Sequence, residues 1–216
     1  DYVNAETREQ GLVYDAKNLA FILPAGKYIG NSRYKDVFAA SAMADLTSFR
    51  NHWGAETSLD VELYRPVARY ELVAKDVATF LNKLSTGGLK GESFTARVKY
   101  SDYLPTGYNL WDDVPKNSLM YMEYKVAFER PADGTKELIL GFDYVLTDAG
   151  ETVSIPVELE ILNEKNEVLA RTAFRIPCER GKNTTVRGNF LTSDANGGIG
   201  IDPDYDGDLE VDLGEL

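Results

Sequence analysis

The chain has one histidine and one cysteine in 216 residues, His52 and Cys178. A single cysteine excludes an internal disulfide and any cysteine-rich metal cluster. A single histidine gives a Ser-His-Asp or Cys-His arrangement only one base to draw on, and no G-x-S-x-G elbow accompanies it. H-E-x-x-H, C-x-x-C and G-x-x-x-x-G-K-[ST] are missing too; "GGLKGES" has its glycines and lysine in the wrong order to cradle a phosphate. Acidic residues number 35, but nothing singles out a pair for glycoside hydrolysis. No catalytic residue emerges, and the chain reads as non-enzymatic. Positive charge is scarce as well, the net charge being −12. Such a chain repels phosphate backbones and anionic bilayers, so neither nucleic acid nor a membrane surface is an expected partner. No run approaches the ~18 apolar residues of a membrane span, and no signal peptide is visible. Cys178, in "FRIPCER", falls at an expected strand end, where a thiol packs and does not react.

What the chain has is apolar and aromatic mass: 44% hydrophobic residues, with thirteen tyrosines and nine phenylalanines. A packed core is therefore expected. Residues 1–58 are mixed in texture and read as an inter-domain segment, or as the remnant of a first β domain with a short helix. "KDVFAASAMADL" has helical spacing, with Asp36 as a cap, and "TSFRNHWGAETS" is loop. From residue 59 to 216 the texture is β. "LDVELY" alternates Leu59, Val61 and Leu63 against Asp60, Glu62 and Tyr64. "VARYELVA" follows, then a short helix in "DVATFLNKLS", capped by Asp76 and broken at "TGGLKG". Strands are expected at "SFTARVKY", "MYMEYKVAFE", "KELILGFDYVLT", "TVSIPVELEIL", "EVLARTAFRIP", "TTVRGNFLT" and "DLEVDL", with "LNEKNEV" as a hairpin turn. Glu158 and Glu160 face one way in their strand, Arg171 and Arg175 in the next, which suits cross-strand pairing. Strands with one apolar face at about ten-residue spacing predict a mainly β protein, an antiparallel β-sandwich with one or two short helices.

Two stretches are candidate sites. In "YSDYLPTGYNLWDDVP", Tyr103, Tyr108 and Trp111 could stack on the rings of a glycan, or the loop could fold back and plug the sandwich end. In "GIGIDPDYDGDLEVDLGEL", Asp202, Asp204, Asp206 and Asp208 alternate, with Gly207 between the last two. Positions 1, 3, 5 and 6 of a calcium loop are matched from Asp202, but position 12 is Leu213 and the flanks are extended. A weak calcium site and a tight turn capped by aspartates both fit.

Taken together, "YRPVARYELVAKDVATFL", "LPTGYNLWDDVP", "IPCERGKNTTVRGNFLTS" and "GIGIDPDYDGDLEVDL" resemble a Bacteroidetes family of the fimbrillin superfamily, the type V pilins and their relatives. Many members of that family have no known function. The resemblance runs from Val13 onward and places the chain at the C-terminal domain. It implies transthyretin-like or immunoglobulin-like sandwiches, export through a lipoprotein signal, and a fimbrial or surface role with other subunits or surface proteins as partners. It implies no enzymatic activity. An unpaired sheet edge in such a protein accepts a neighbour's strand, and a head-to-tail contact of that kind grows a filament. "DLEVDL" could be the domain's own last strand or an exchanged one. A surface module that binds glycans is the alternative function.

Overall fold

A computed structural model describes residues 13–15, 20–52 and 54–192, together with the backbone of 210–212. Its strands are β1 (Tyr14–Asp15), β2 (Phe21–Pro24), β3 (Val67–Ala74), β4 (Ser93–Tyr100), β5 (Leu104–Asn109) and β6 (Val114–Leu119). They continue with β7 (Glu123–Glu129), β8 (Leu138–Leu146), β9 (Val153–Asn163), β10 (Val168–Cys178), β11 (Asn183–Gly188) and β12 (Glu210–Asp212). The α-helix α1 (Val77–Ser85) follows β3.

The strands form three four-stranded sheets, ordered β10-β9-β4-β7, β12-β11-β3-β8 and β1-β2-β5-β6. The first two face each other as a β-sandwich. Period-2 alternation drives this. In β4, Phe94, Ala96, Val98 and Tyr100 turn inward, while Ser93, Thr95, Arg97 and Lys99 turn out. They meet Tyr70 and Leu72 of β3, Leu140 of β8, Leu159 and Ile161 of β9 and Ile176 of β10 in one core. α1 closes one end. Its Val77, Phe80 and Leu81 are buried at helical spacing, and Phe80 meets Phe94 edge-on at 5.1 Å between centroids. The pairing of β3 with β11 is parallel and the other strand pairings are antiparallel. β12 pairs with β11 of the same chain, Thr184 opposite Val211, so Glu210–Asp212 within "DLEVDL" supply an internal strand.

Several expectations are corrected. "KDVFAASAMADL" is not helical. A 3₁₀ turn spans Arg33–Lys35, and residues 36–46 carry no regular secondary structure beyond a single bridge at Ala39. Asp36 is occupied by the Arg65 guanidinium at 2.9 Å instead of capping a helix, and Ala39 bridges to Tyr64. Among the described residues "LDVELY" joins no sheet apart from that Tyr64 bridge, because alternation alone supplies no neighbouring strand. Asp76 precedes α1 but does not cap it. Its carboxylate accepts from Thr192 Oγ1 at 2.7 Å and from the Leu191 amide, tying the helix start to the chain after β11. "TTVRGNFLT" is a strand only as far as Gly188. The aromatic stretch expected as loop is largely the hairpin β5–β6. Pro105 is tolerated because β2 pairs with β5 only at Tyr108 and Asn109, so the strand is an edge where the proline sits. Gly107 is needed there: a Cβ would come within 2.8 Å of the Ile22 carbonyl oxygen.

Candidate functional site

The hairpin β5–β6 separates the three aromatic candidates. Tyr108 is fully buried on β5, packed with Ile22, Val67 and Leu146. Its hydroxyl donates to Asp113 Oδ1 at 2.9 Å. Tyr103 precedes β5 and is exposed. Trp111 sits in the hairpin turn with 68% of its surface in water. A strand of six residues lies between them, roughly 20 Å at ~3.3 Å per residue, so the two exposed rings do not share a platform. The turn itself is anchored. Asp113, with φ of 59°, takes a bidentate pair from Arg180 at 2.8 and 2.9 Å. That guanidinium lies 4.0 Å over the Tyr64 ring. The hydrogen bonds from Arg180, helped by those from Tyr64 and Tyr108, hold the Asp113 carboxyl below its ordinary range despite some burial. At the other end of the hairpin, Tyr121 is 85% exposed with φ of 59°, beside the loop that carries Tyr103. Sequence reading passed over Tyr121; its signal was an aromatic between two methionines just before a strand.

The remaining sequence candidates stand apart from this hairpin or lie outside the described residues. His52 is exposed and its Nδ1 lies 2.9 Å from the Ser48 carbonyl oxygen, a local loop contact. Cys178 is buried at the end of β10, and burial, with some repulsion from Asp143, pushes its thiol up to about 12. Asp202, Asp204, Asp206 and Asp208 lie outside the described residues. Among the described residues no group of His, Cys, Asp and Glu is arranged to hold a metal ion.

A polar centre that sequence reading missed lies inside the sandwich. Asp143, on β8, is turned into the core, and the chain after β2 delivers Tyr28 and Lys35 to it. Lys35 Nζ donates to Asp143 Oδ1 at 2.7 Å and to the Tyr28 hydroxyl at 3.1 Å. Tyr28 and Tyr100 both donate to Asp143 Oδ2, Tyr100 at 2.7 Å. The network extends through Tyr70, whose hydroxyl lies 2.7 Å from that of Tyr100 and 3.2 Å from that of Tyr124. Burial pushes all four phenols well above their ordinary range, with Asp143 adding to the effect at each, so they are protonated donors. Burial also lowers the Lys35 ammonium, against the pull of Asp143. A small pocket of about 30 Å³, lined by Tyr14, Tyr28, Lys35, Pro105 and Thr106, opens beside the cluster. The signal in the sequence was a single charge inside the apolar run "LILGFDYVL", displaced onto the inner face by a bulge at Leu72/Val73 and Gly141.

The outer face of the same sandwich carries a second cluster. The register sets Glu160 of β9 between Arg97 of β4 and Arg171 of β10. Arg97 and Arg171 donate to it, Arg171 at 2.6 Å, and Lys99 Nζ lies at 2.9 Å. The expected cross-strand pairing holds for Arg171, whereas Arg175 stands opposite Pro156 and donates to Ser154 instead of a glutamate.

The chain belongs to a family of unknown function, DUF6562, whose model matches residues 1–214. Among curated proteins none matches. Two solved structures are similar to it, both of candidate cell adhesion proteins. One, from Bacteroides ovatus, is 14% identical with a TM-score of 0.33, covering 59% of this chain and 41% of that one. The other, from Bacteroides eggerthii, is 14% identical with a TM-score of 0.31, covering 65% and 51%. The chain thus spans about half the length of these neighbours or less. No described helix is long and apolar enough to cross a membrane.

Proposed function

We propose that this chain is a non-enzymatic, exported surface protein of fimbrillin type, acting in pilus assembly or cell adhesion by strand addition at sheet edges. The observation that carries the reading is the stretch 59–63. Leu59, Val61 and Leu63 alternate as in a half-buried strand, yet each is more than half exposed, and the stretch joins no described sheet. An extended segment with an apolar row in water is a strand without its sheet. Acceptor edges are present too: β7 pairs with β4 alone among the described strands, and it carries no proline or bulge. Other fimbrial subunits or surface proteins are the partners in this reading, and a lipoprotein anchor is its route to the surface. Sedimentation velocity across a concentration series tests it. Oligomers are expected in the unaltered chain, and Val61→Pro, which removes an N–H from the stretch, should return it to monomer. A monomer at every concentration, alone and mixed with co-purified surface subunits, overturns the reading.

A second reading, glycan binding, is favoured by exposed rings at the two ends of the hairpin, Trp111 at one and Tyr103 with Tyr121 at the other, each end a separate contact. Tyr108 is not available to such a ligand. Loss of glycan-array signal in Trp111→Ala would support this reading, and an unaltered chain silent on the array would remove it. Calcium at Asp202, Asp204, Asp206 and Asp208 would brace the C-terminal end. An unchanged Tm in millimolar calcium removes that role.

A further inference from the structure

Lys35 and Asp143 are 108 residues apart in sequence, and their side chains are 5% and 0% exposed. Both sit in an apolar, tyrosine-rich interior where an ion pair is costly to keep. We propose that Lys35 and Asp143 condense to an isopeptide bond, a covalent staple between the chain after β2 and strand β8. The inference is independent of the surface role proposed above.

The geometry supplies each part of the reaction. Lys35 Nζ already lies 2.7 Å from Oδ1 of the carboxyl group it must attack. Condensation goes through the uncharged pair, in which a proton has passed from the ammonium to the carboxylate. Burial of Lys35 favours its uncharged amine, the nucleophile this step needs. The Nζ lone pair forms the C–N bond. The oxygen that becomes the oxyanion is Oδ1, which accepts the Tyr144 amide N–H at 2.8 Å. The leaving oxygen is Oδ2, which accepts from Tyr28 and Tyr100. Tyr28 also accepts from Nζ at 3.1 Å, so its hydroxyl touches both partners and can carry a proton from nitrogen to Oδ2. The ammonium starts with three hydrogens. One stays on the amide and two leave with Oδ2 as water, with no oxidant or cofactor required. The adjoining pocket, lined in part by Tyr28 and Lys35, has room for that water. A chain with one cysteine has no disulfide to brace it, and this bond would fasten residues 20–35 to the sandwich instead.

Intact-mass spectrometry of the folded, purified chain decides the matter. The expected mass lies below the sequence mass by one water molecule, and a proteolytic digest should yield one branched peptide joining Lys35 to Asp143. Lys35→Arg and Asp143→Ala should each show the full sequence mass. Asp143→Asn should form the same bond with loss of ammonia, giving the same final mass as the unaltered chain. Tyr28→Phe should slow the reaction by ~100-fold, leaving unlinked chain in fresh preparations. Full sequence mass in the unaltered chain after prolonged incubation in the folded state, with Lys35 and Asp143 recovered on separate peptides, overturns the proposal and leaves a plain buried ion pair. The unaltered chain carries this result, so it stands even if a variant fails to fold.

Discussion

Asp143 and Glu160 are both carboxylates with no exposed surface, carried by the two facing sheets of the sandwich, Asp143 on β8 and Glu160 on β9. Asp143 points into the core, where one cation, Lys35, and the hydroxyls of Tyr28 and Tyr100 face it. Glu160 points out and is covered by the stems of its own partners, Arg97, Lys99 and Arg171, whose heads reach water. The fraction of surface buried is the same, but the surroundings differ. The inner acid depends on one cation and a set of neutral donors. The outer acid has three cations, each partly hydrated and each replaceable by the other two. Burial therefore does not by itself say what a charge is worth; the number and wetness of its partners decide.

Truncation at the inner acid should have the largest effect. Asp143→Ala leaves Lys35 buried without a counter-charge and takes the shared acceptor from two tyrosines. Losing one member of a buried pair costs ~3–5 kcal/mol, and loss of the staple would add to it. Urea unfolding of the variant should show a correspondingly lower midpoint at an unchanged slope. A loss under ~1 kcal/mol would mean that water reaches the inner site, and the contrast with Glu160 would collapse.

How far this was visible in the sequence depends on the range of the force involved. β3, β4 and β7 to β10 follow from period-2 alternation, and α1 from Val77, Phe80 and Leu81, because those patterns record local burial. The outer cluster was legible too: Glu158 and Glu160 on one strand and Arg171 on the next need only the hairpin at residues 163–167 to meet. The inner cluster was not. Lys35 lies in a short 3₁₀ turn and Asp143 in a bulged strand, and no local rule brings positions so far apart together. Pro105 and Gly107 hid β5, because both disfavour a strand unless an edge and a close backbone approach call for them. For 59–63 the pattern was right and the partner missing, so alternation described the residues and failed to place them.

The outer acid should respond to pH where the structure says it must. Burial alone would raise the Glu160 carboxyl, but hydrogen bonds from Lys99, Arg97 and Arg171 overcome this and bring it from 4.5 to about 2. A carboxyl lowered by folding contributes stability that is fully present above its unfolded value of 4.5 and is lost as pH falls towards about 2. Glu160→Gln should therefore cost ~1–3 kcal/mol at neutral pH, discounted for the hydrated partners, and its deficit should shrink as both proteins are acidified through that window. A deficit that stays constant from neutral pH to pH 3 would show packing, not charge, at work.

The smallest effect is expected where redundancy is greatest. Arg171→Ala removes one partner of Glu160, but the Arg97 guanidinium and Lys99 Nζ still hold Oε2. Arg171 is 39% exposed at its side chain, so salt screens it and its own loss is cheap. The change in stability should stay under ~1 kcal/mol and fade further in high salt. Lys35→Ala is the matched change inside, and there no second cation among the described residues pairs with Asp143, so salt should not rescue it. If the two lysine and arginine truncations cost the same, partner number would not be what separates the two sites, and the depth of the carboxylate alone would have to explain the difference.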